Sequence, residues 1–189
     1  MQVGTVLRAP AQPPSQLARP GALMLRLLMP PWTTVLVDVL AWGLFHAATG
    51  YAAYRLDDDR LAHDGWLLRE RRFEAGGHWY RRRLWIHHWK DRLPDAGDLF
   101  AVGMSKRRLR SYDADGLRLF VHETRRAELA HWWAMACGPV FVLWNPPVAA
   151  VLLIAYGVVV NLPFVLIQRY NRARARPLVD RLARRCPGS

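Results

Sequence analysis

From Ala130 to Gln168 the chain runs 39 residues without an Asp, Glu, Lys or Arg. Nothing else in the sequence restricts the fold as much. A charge-free apolar run of this length exceeds a buried core helix and is sufficient for membrane spans. It is broken once, at Asn145-Pro146-Pro147. Asn-Pro-Pro stops a helix and restarts one, because proline is tolerated in a first turn and excluded from an interior. The pattern predicts a transmembrane helical hairpin over 130–168. Its first arm, Ala130 to Trp144, has 15 residues and its second, Pro146 to Gln168, has 23.

A further apolar run, Trp32 to Tyr54, holds 23 residues with one Asp, one His and no Lys or Arg. At about 1.5 Å per residue it can cross a hydrocarbon core of about 30 Å. A secretory signal peptide fits poorly, since the apolar stretch is too long and starts too late. Residues 1–31 are rich in Pro and Gly without periodicity and read as a disordered N-tail, with Met24 or Met29 as candidate true starts.

The chain is 52% hydrophobic yet carries 27 Lys+Arg against 15 Asp+Glu. Such a balance fits either a nucleic-acid binder or a small membrane protein. The arginines lie between the apolar blocks, and the nine tryptophans suit membrane interfaces, so the membrane is preferred and no nucleic-acid partner is expected. Residues 55–129 hold 17 of the 27 Lys+Arg and alternate basic with aromatic residues, as in GHWYRRRLWIHHWKDRL. Short amphipathic helices lying on anionic headgroups are expected there. Residues 169–189 form a basic tail with seven arginines and one aspartate. The positive-inside rule places both basic sections in the cytoplasm, with membrane lipids as partners. The expected fold class is an all-α integral membrane protein: one N-terminal span at 32–54, a basic cytoplasmic or interfacial section, and a C-terminal hairpin.

That topology brings two polar motifs to one interface. ETRRAELAH (123–131) enters the hairpin and QRYNR (168–172) leaves it. Packed arms would set them about 8–10 Å apart. On a helical wheel Thr124, Glu128, His131 and Met135 share a face, so Glu128 could orient His131 as a general base. The first arm spans only about 22 Å, which puts His131 near the headgroup level. The plainer alternative is a snorkelling, salt-bridged helix start anchored by Trp132 and Trp133. A di-metal carboxylate site needs a second E-x-x-H, which the sequence lacks, so no metal is expected. Asp38 and His46 lie inside the first span, where ionisable groups are either functional or hydrogen-bonded between helices. His87 and His88 begin no H-x-x-x-x-D motif, and no Walker A loop, G-x-S-x-G or H-E-x-x-H occurs. Cys137 and Cys186 form no disulfide framework or zinc site, and Cys137 reads as packing.

Three segments, ETRRAELAHWW, NLPFVLIQRYNR and the W-K-x-x-x-x-D of HHWKDRLPDAG, together resemble the glycosyl-4,4'-diaponeurosporenoate acyltransferase family over about Met29 to Arg185. The resemblance implies transfer of a fatty acyl chain to a sugar hydroxyl of a glycosylated carotenoid, or of a related glycolipid, in the cell membrane. Family members carry basic residues where this chain has His87 and His88, which argues against a catalytic role for either. Motifs and geometry together nominate His131 and Glu128 as catalytic. Arg125, Arg169 and Asn171 would bind the donor's anionic part or the developing oxyanion, and Trp89, Lys90 and Asp95 would position the sugar. Glu123 and Gln168, in the same motifs, join the substrate-binding candidates. No bound cofactor is expected, and an acyl thioester (acyl-CoA or acyl carrier protein) is the expected co-substrate. A non-enzymatic lipid-binding or assembly protein would share this topology.

Overall fold

The structure, a computed structural model, describes residues 30–62, 65–93 and 114–185. The N-tail before residue 30, Asp95 and Cys186 lie outside the described residues. Every regular element among the described residues is helical. In chain order they are α1 (Pro31–Tyr54), α2 (Asp58–Ala62), a 3₁₀ segment (Arg72–Gly77), α3 (His78–Arg83), α4 (Ile86–Trp89), a short 3₁₀ turn (Lys90–Arg92), α5 (Ala114–Cys137), a 3₁₀ segment (Gly138–Leu143) and α6 (Pro147–Arg185).

Among the described residues two helices, α1 and α6, are long and apolar enough to cross a membrane. Only 11% and 22% of their apolar windows are buried. A soluble core helix with that composition would be mostly covered. Here Val35, Leu36, Val39, Leu40 and Leu44 of α1, and Val148, Val151, Leu152 and Val159 of α6, face outward. Such a belt of exposed aliphatic side chains is suited to lipid contact.

A helical hairpin is present, with longer arms than the apolar run alone defines, but of the two expected transmembrane arms only α6 is long and apolar enough to cross a membrane. Helix α5 is not, because charged residues from Asp115 to Glu128 occupy its first half. Gly138 packs beside Ile154, His131 beside Asn161 and Glu128 beside Arg169, so α5 and α6 run antiparallel. The expected boundary near residue 130 does not interrupt α5, which is one helix from Ala114 to Cys137. The physical reason is local: HETRRAELAHWW contains strong helix formers and no Gly or Pro. Likewise α6 continues through the basic segment to Arg185, with Pro163 and Pro177 inside it. At 39 residues it is about 58 Å long, longer than a bilayer core of about 30 Å.

Helix α1 packs antiparallel to α5. At one end the carboxylate of Asp38 accepts bonds from Trp144 Nε1 and Asn145 Nδ2, each 2.8 Å, and so ties α1 to the hairpin tip. At the other end Arg126 Nη2 donates to the Leu56 carbonyl at 3.1 Å. Between them Trp42 is the aromatic hub, with ring centroids 5.0 Å from Phe141 and 5.8 Å from Tyr156. This close approach depends on Gly157, because a Cβ there would lie 2.4 Å from the Trp42 ring.

Residues 65–93 fold into a small lobe against α6. Its core is Tyr80, Ile86 and Tyr170, flanked by Trp79, Leu84, Trp89, Leu166 and Ile167. Gly77 turns into α3 with φ 74° and sits where a Cβ would be 3.0 Å from Tyr170 and Arg174. The lobe is then fastened through Glu74. Its carboxylate accepts from Arg169 Nε (2.8 Å) and Nη2 (2.9 Å), from Tyr80 Oη (2.6 Å) and from the Arg71 amide (2.7 Å). Burial pushes the Glu74 pKa upward. The Arg169, Tyr80 and Arg71 hydrogen bonds and the Arg169 charge outweigh burial and hold it below the ordinary value.

Two predictions follow from this packing. Gly157→Ala should destabilise the bundle by about 1–3 kcal/mol through overpacking against Trp42. Gly43→Ala, whose new Cβ meets nothing within 4 Å, should be neutral or stabilising. Thermal melting in detergent micelles compares them, and equal melting temperatures would refute the steric account. For Glu74, a folded pKa below the unfolded one means stability present at neutral pH and lost as pH falls through the folded pKa. Tryptophan fluorescence should report lobe loosening below the ordinary carboxylate range. Glu74→Gln should already give the loosened signal at neutral pH and show no further transition there.

Candidate active site

The two polar motifs do meet across the hairpin, but the groups split between its two flanks. On the lobe flank the centre is Glu128, which is 0% exposed. Its Oε1 accepts from Arg169 Nη1 (2.7 Å) and Trp132 Nε1 (3.2 Å), and its Oε2 lies 2.6 Å from Arg172 Nη2. Arg169 bridges on to Glu74 and donates to the carbonyls of Leu67 (3.1 Å) and Arg69 (2.9 Å). Arg172, 1% exposed, donates to the Leu68 carbonyl at 3.1 Å. Two carboxylates and two guanidiniums thus neutralise one another in a buried chain that also satisfies the loop carbonyls of residues 67–69. A charge so deeply buried is tolerable only when paired in this way.

Beside that chain lies a cavity of about 430 Å³. Trp66, Phe73, Trp79 and Trp132 form its walls, with Glu74 and Arg169 among the lining groups. A second, wholly apolar groove of about 370 Å³ lies between Trp89 and Leu93 and the Val158–Leu166 stretch of α6. The two share Leu162 and Leu166, so they meet along one ridge of α6.

His131 sits on the other flank, facing α1. The expected pairing with Glu128 is not formed: the carboxylate is occupied by Arg169, Arg172 and Trp132, and the imidazole has a different partner. Its Nδ1 is 2.9 Å from Asn161 Oδ1. Its ring lies parallel to Phe164, with centroids 4.9 Å apart and 10° between the planes. One turn of separation put Glu128 and His131 on one wheel face, but they are 300° apart around the helix. In a packed hairpin that 60° offset is enough to give each a different neighbour on α6. His46 of α1 lies near enough to His131 for their charges to interact. Its own Nδ1 is 2.9 Å from the Trp42 carbonyl.

The remaining expected residues are dispersed. Arg125 is buried and donates to the Leu61 carbonyl, tying α5 to α2. Glu123 is ion-paired with Arg126. Trp89 donates Nε1 to the Leu84 carbonyl at 2.8 Å and closes the lobe core. Lys90 pairs with Asp91 at 2.7 Å on the surface. Gln168 and Asn171 are half-buried on α6 beside the ion chain. Asp38, open to either a functional or a structural role from sequence, has the interhelix bonding role. Sequence reasoning missed Asn161, Glu74 and Tyr80, and did not separate Arg172 from its motif. Asn161 carried a readable signal, being an amide in the interior of the apolar second arm rather than at its polar end.

The profile of the glycosyl-4,4'-diaponeurosporenoate acyltransferase family matches residues 64–181, which include the lobe and both arms of the hairpin. Curated relatives agree. The glycosyl-4,4'-diaponeurosporenoate acyltransferase of Staphylococcus aureus strain bovine RF122 / ET3-1 is 28% identical over 132 residues, 69% of this chain and 79% of its own. That of strain MRSA252 is 29% identical over the same spans. That of strain USA300 is 31% identical over 114 residues, 60% of this chain and 68% of its own. No solved structure matches the chain. The matched region contains the ion chain, His131 and Asn161, and the chain belongs to the glycosyl-4,4'-diaponeurosporenoate acyltransferase family and is an acyltransferase.

Proposed function

We propose that this acyltransferase esterifies a sugar hydroxyl of a glycosylated carotenoid, or of a related glycolipid, with a fatty acyl chain. The names of the relatives supply the acceptor class. In this reading the protein is a multi-pass membrane protein, with its basic section and C-terminus on the cytoplasmic side, where the positive-inside rule puts them. The co-substrate is an acyl thioester.

The observation that carries the mechanism is the state of His131. One ring nitrogen is taken by Asn161, and the other, Nε2, has no partner among the described residues. A half-buried imidazole with one free nitrogen is suited to general-base work. As the sugar oxygen attacks the thioester carbonyl, its proton passes to Nε2. The C–S bond then breaks, the ester forms, and the proton returns to the departing thiolate. Glu74 is a poor alternative base, since Arg169, Tyr80 and the Arg71 amide already occupy both its oxygens. The aromatic cavity and the apolar groove therefore suit hydrocarbon parts of a lipid substrate better than a reacting hydroxyl. Arg169, expected to bind the donor, serves in this reading to hold the lobe.

His131→Ala should leave a folded protein and lower acyl transfer in isolated membranes by about 10²–10⁴-fold. Glu128→Gln should act on folding, because it leaves the buried Arg172 guanidinium without a carboxylate while Arg169 keeps Glu74, at a cost of about 3–5 kcal/mol. Its readout is the amount of monodisperse protein after extraction. Full transfer by His131→Ala would dismiss the base. At the level of the cell, a deletion strain should lose one acylated glycolipid and accumulate its deacylated precursor in lipid and pigment profiles.

A further inference from the structure

Building on the reading of His131 as the base, we propose that Asn161 is a positioning residue that locks His131 as the Nδ1–H tautomer, so that its lone pair is presented on Nε2. Asn161 is 1% exposed within a candidate membrane-spanning helix, where an unpaired amide would be costly. Both ends of the amide are engaged. Its Nδ2 donates to the Gly157 carbonyl at 2.8 Å. A carbonyl oxygen can only accept, so the nitrogen end must face Gly157. Oδ1 is thereby turned toward His131, and it too can only accept. The hydrogen between them must then reside on His131 Nδ1. A neutral imidazole protonated there carries its lone pair on Nε2, the nitrogen a general base uses.

The ring plane is fixed by the same helix, through the parallel Phe164. The base thus stands on α5, while its tautomer and plane are set from α6. Gly157 links this lock to the third helix, because the residue whose carbonyl orients the amide is also the one that admits Trp42. His46 repeats the logic on α1. Its Nδ1 faces the Trp42 carbonyl, another pure acceptor, so it too presents a bare Nε2.

The test uses the full chain in nanodiscs, with ¹⁵N-labelled histidine, at about pH 8 where imidazole is neutral. The His131 resonances are assigned by their absence from His131→Ala. The wild type should show the Nδ1–H pattern. Asn161→Leu removes the acceptor and should lose that pattern, with kcat lowered about 10–100-fold and KM unchanged. Asn161→Asp keeps an oxygen facing Nδ1 and should restore both the pattern and most of kcat. An Nε2–H pattern in the wild type overturns the lock, as does an Asn161→Leu variant with unaltered pattern and kcat. If Asn161→Leu fails to fold, the wild-type pattern and the Asn161→Asp variant decide. The base reading fails separately, by an active His131→Ala, and that result leaves the tautomer measurement intact.

Discussion

Glu128 has no exposure to solvent, and much of the structure follows from the need to neutralise it. Its charge draws Arg169 and Arg172 from α6. Arg169 then has donors left for Glu74 and for the carbonyls of Leu67 and Arg69. Through this chain a single carboxylate on α5 sets the register of the hairpin and the seat of the lobe. Tyr80 completes it, and burial, then the Glu74 hydrogen bond and charge, push its phenol well above the ordinary range. The proton therefore stays on Tyr80, and the Oη–H continues to donate to Glu74.

The flank facing α1 is built differently. It has no described ion pair around His131, only an amide, a stacked ring and a second imidazole. Charge is concentrated where the lobe is fastened, and neutral groups surround the proposed base. A guanidinium beside His131 would discourage protonation. An amide fixes direction without adding charge.

The helical architecture was legible from hydrophobic runs, because a charge-free stretch with one Asn-Pro-Pro has few solutions. The family was legible from three short motifs. Element ends were not: the polar residues of 114–129 and 169–185 carry no apolar signal, yet they continue the helices begun in the apolar stretch. Which side chain meets which was less legible still. A wheel gives directions within one helix, whereas the partners of Glu128 and His131 depend on how α6 is rotated against α5. Arg169 illustrates this, since a surface-facing arginine and a buried bridging one look alike in sequence. Glu74 lay in a stretch dominated by arginines, and its role appears only when the lobe folds back on residues 166–170.

Asp38 has an implication for biogenesis. Its two partners, Trp144 and Asn145, are 106 and 107 residues further along the chain. At about 5–20 residues per second, α1 is made on the order of 5–20 s before the hairpin tip exists. During that interval the carboxylate has neither bond, in a helix otherwise free of charge. The first helix therefore lacks both interhelix bonds until the hairpin tip has been made.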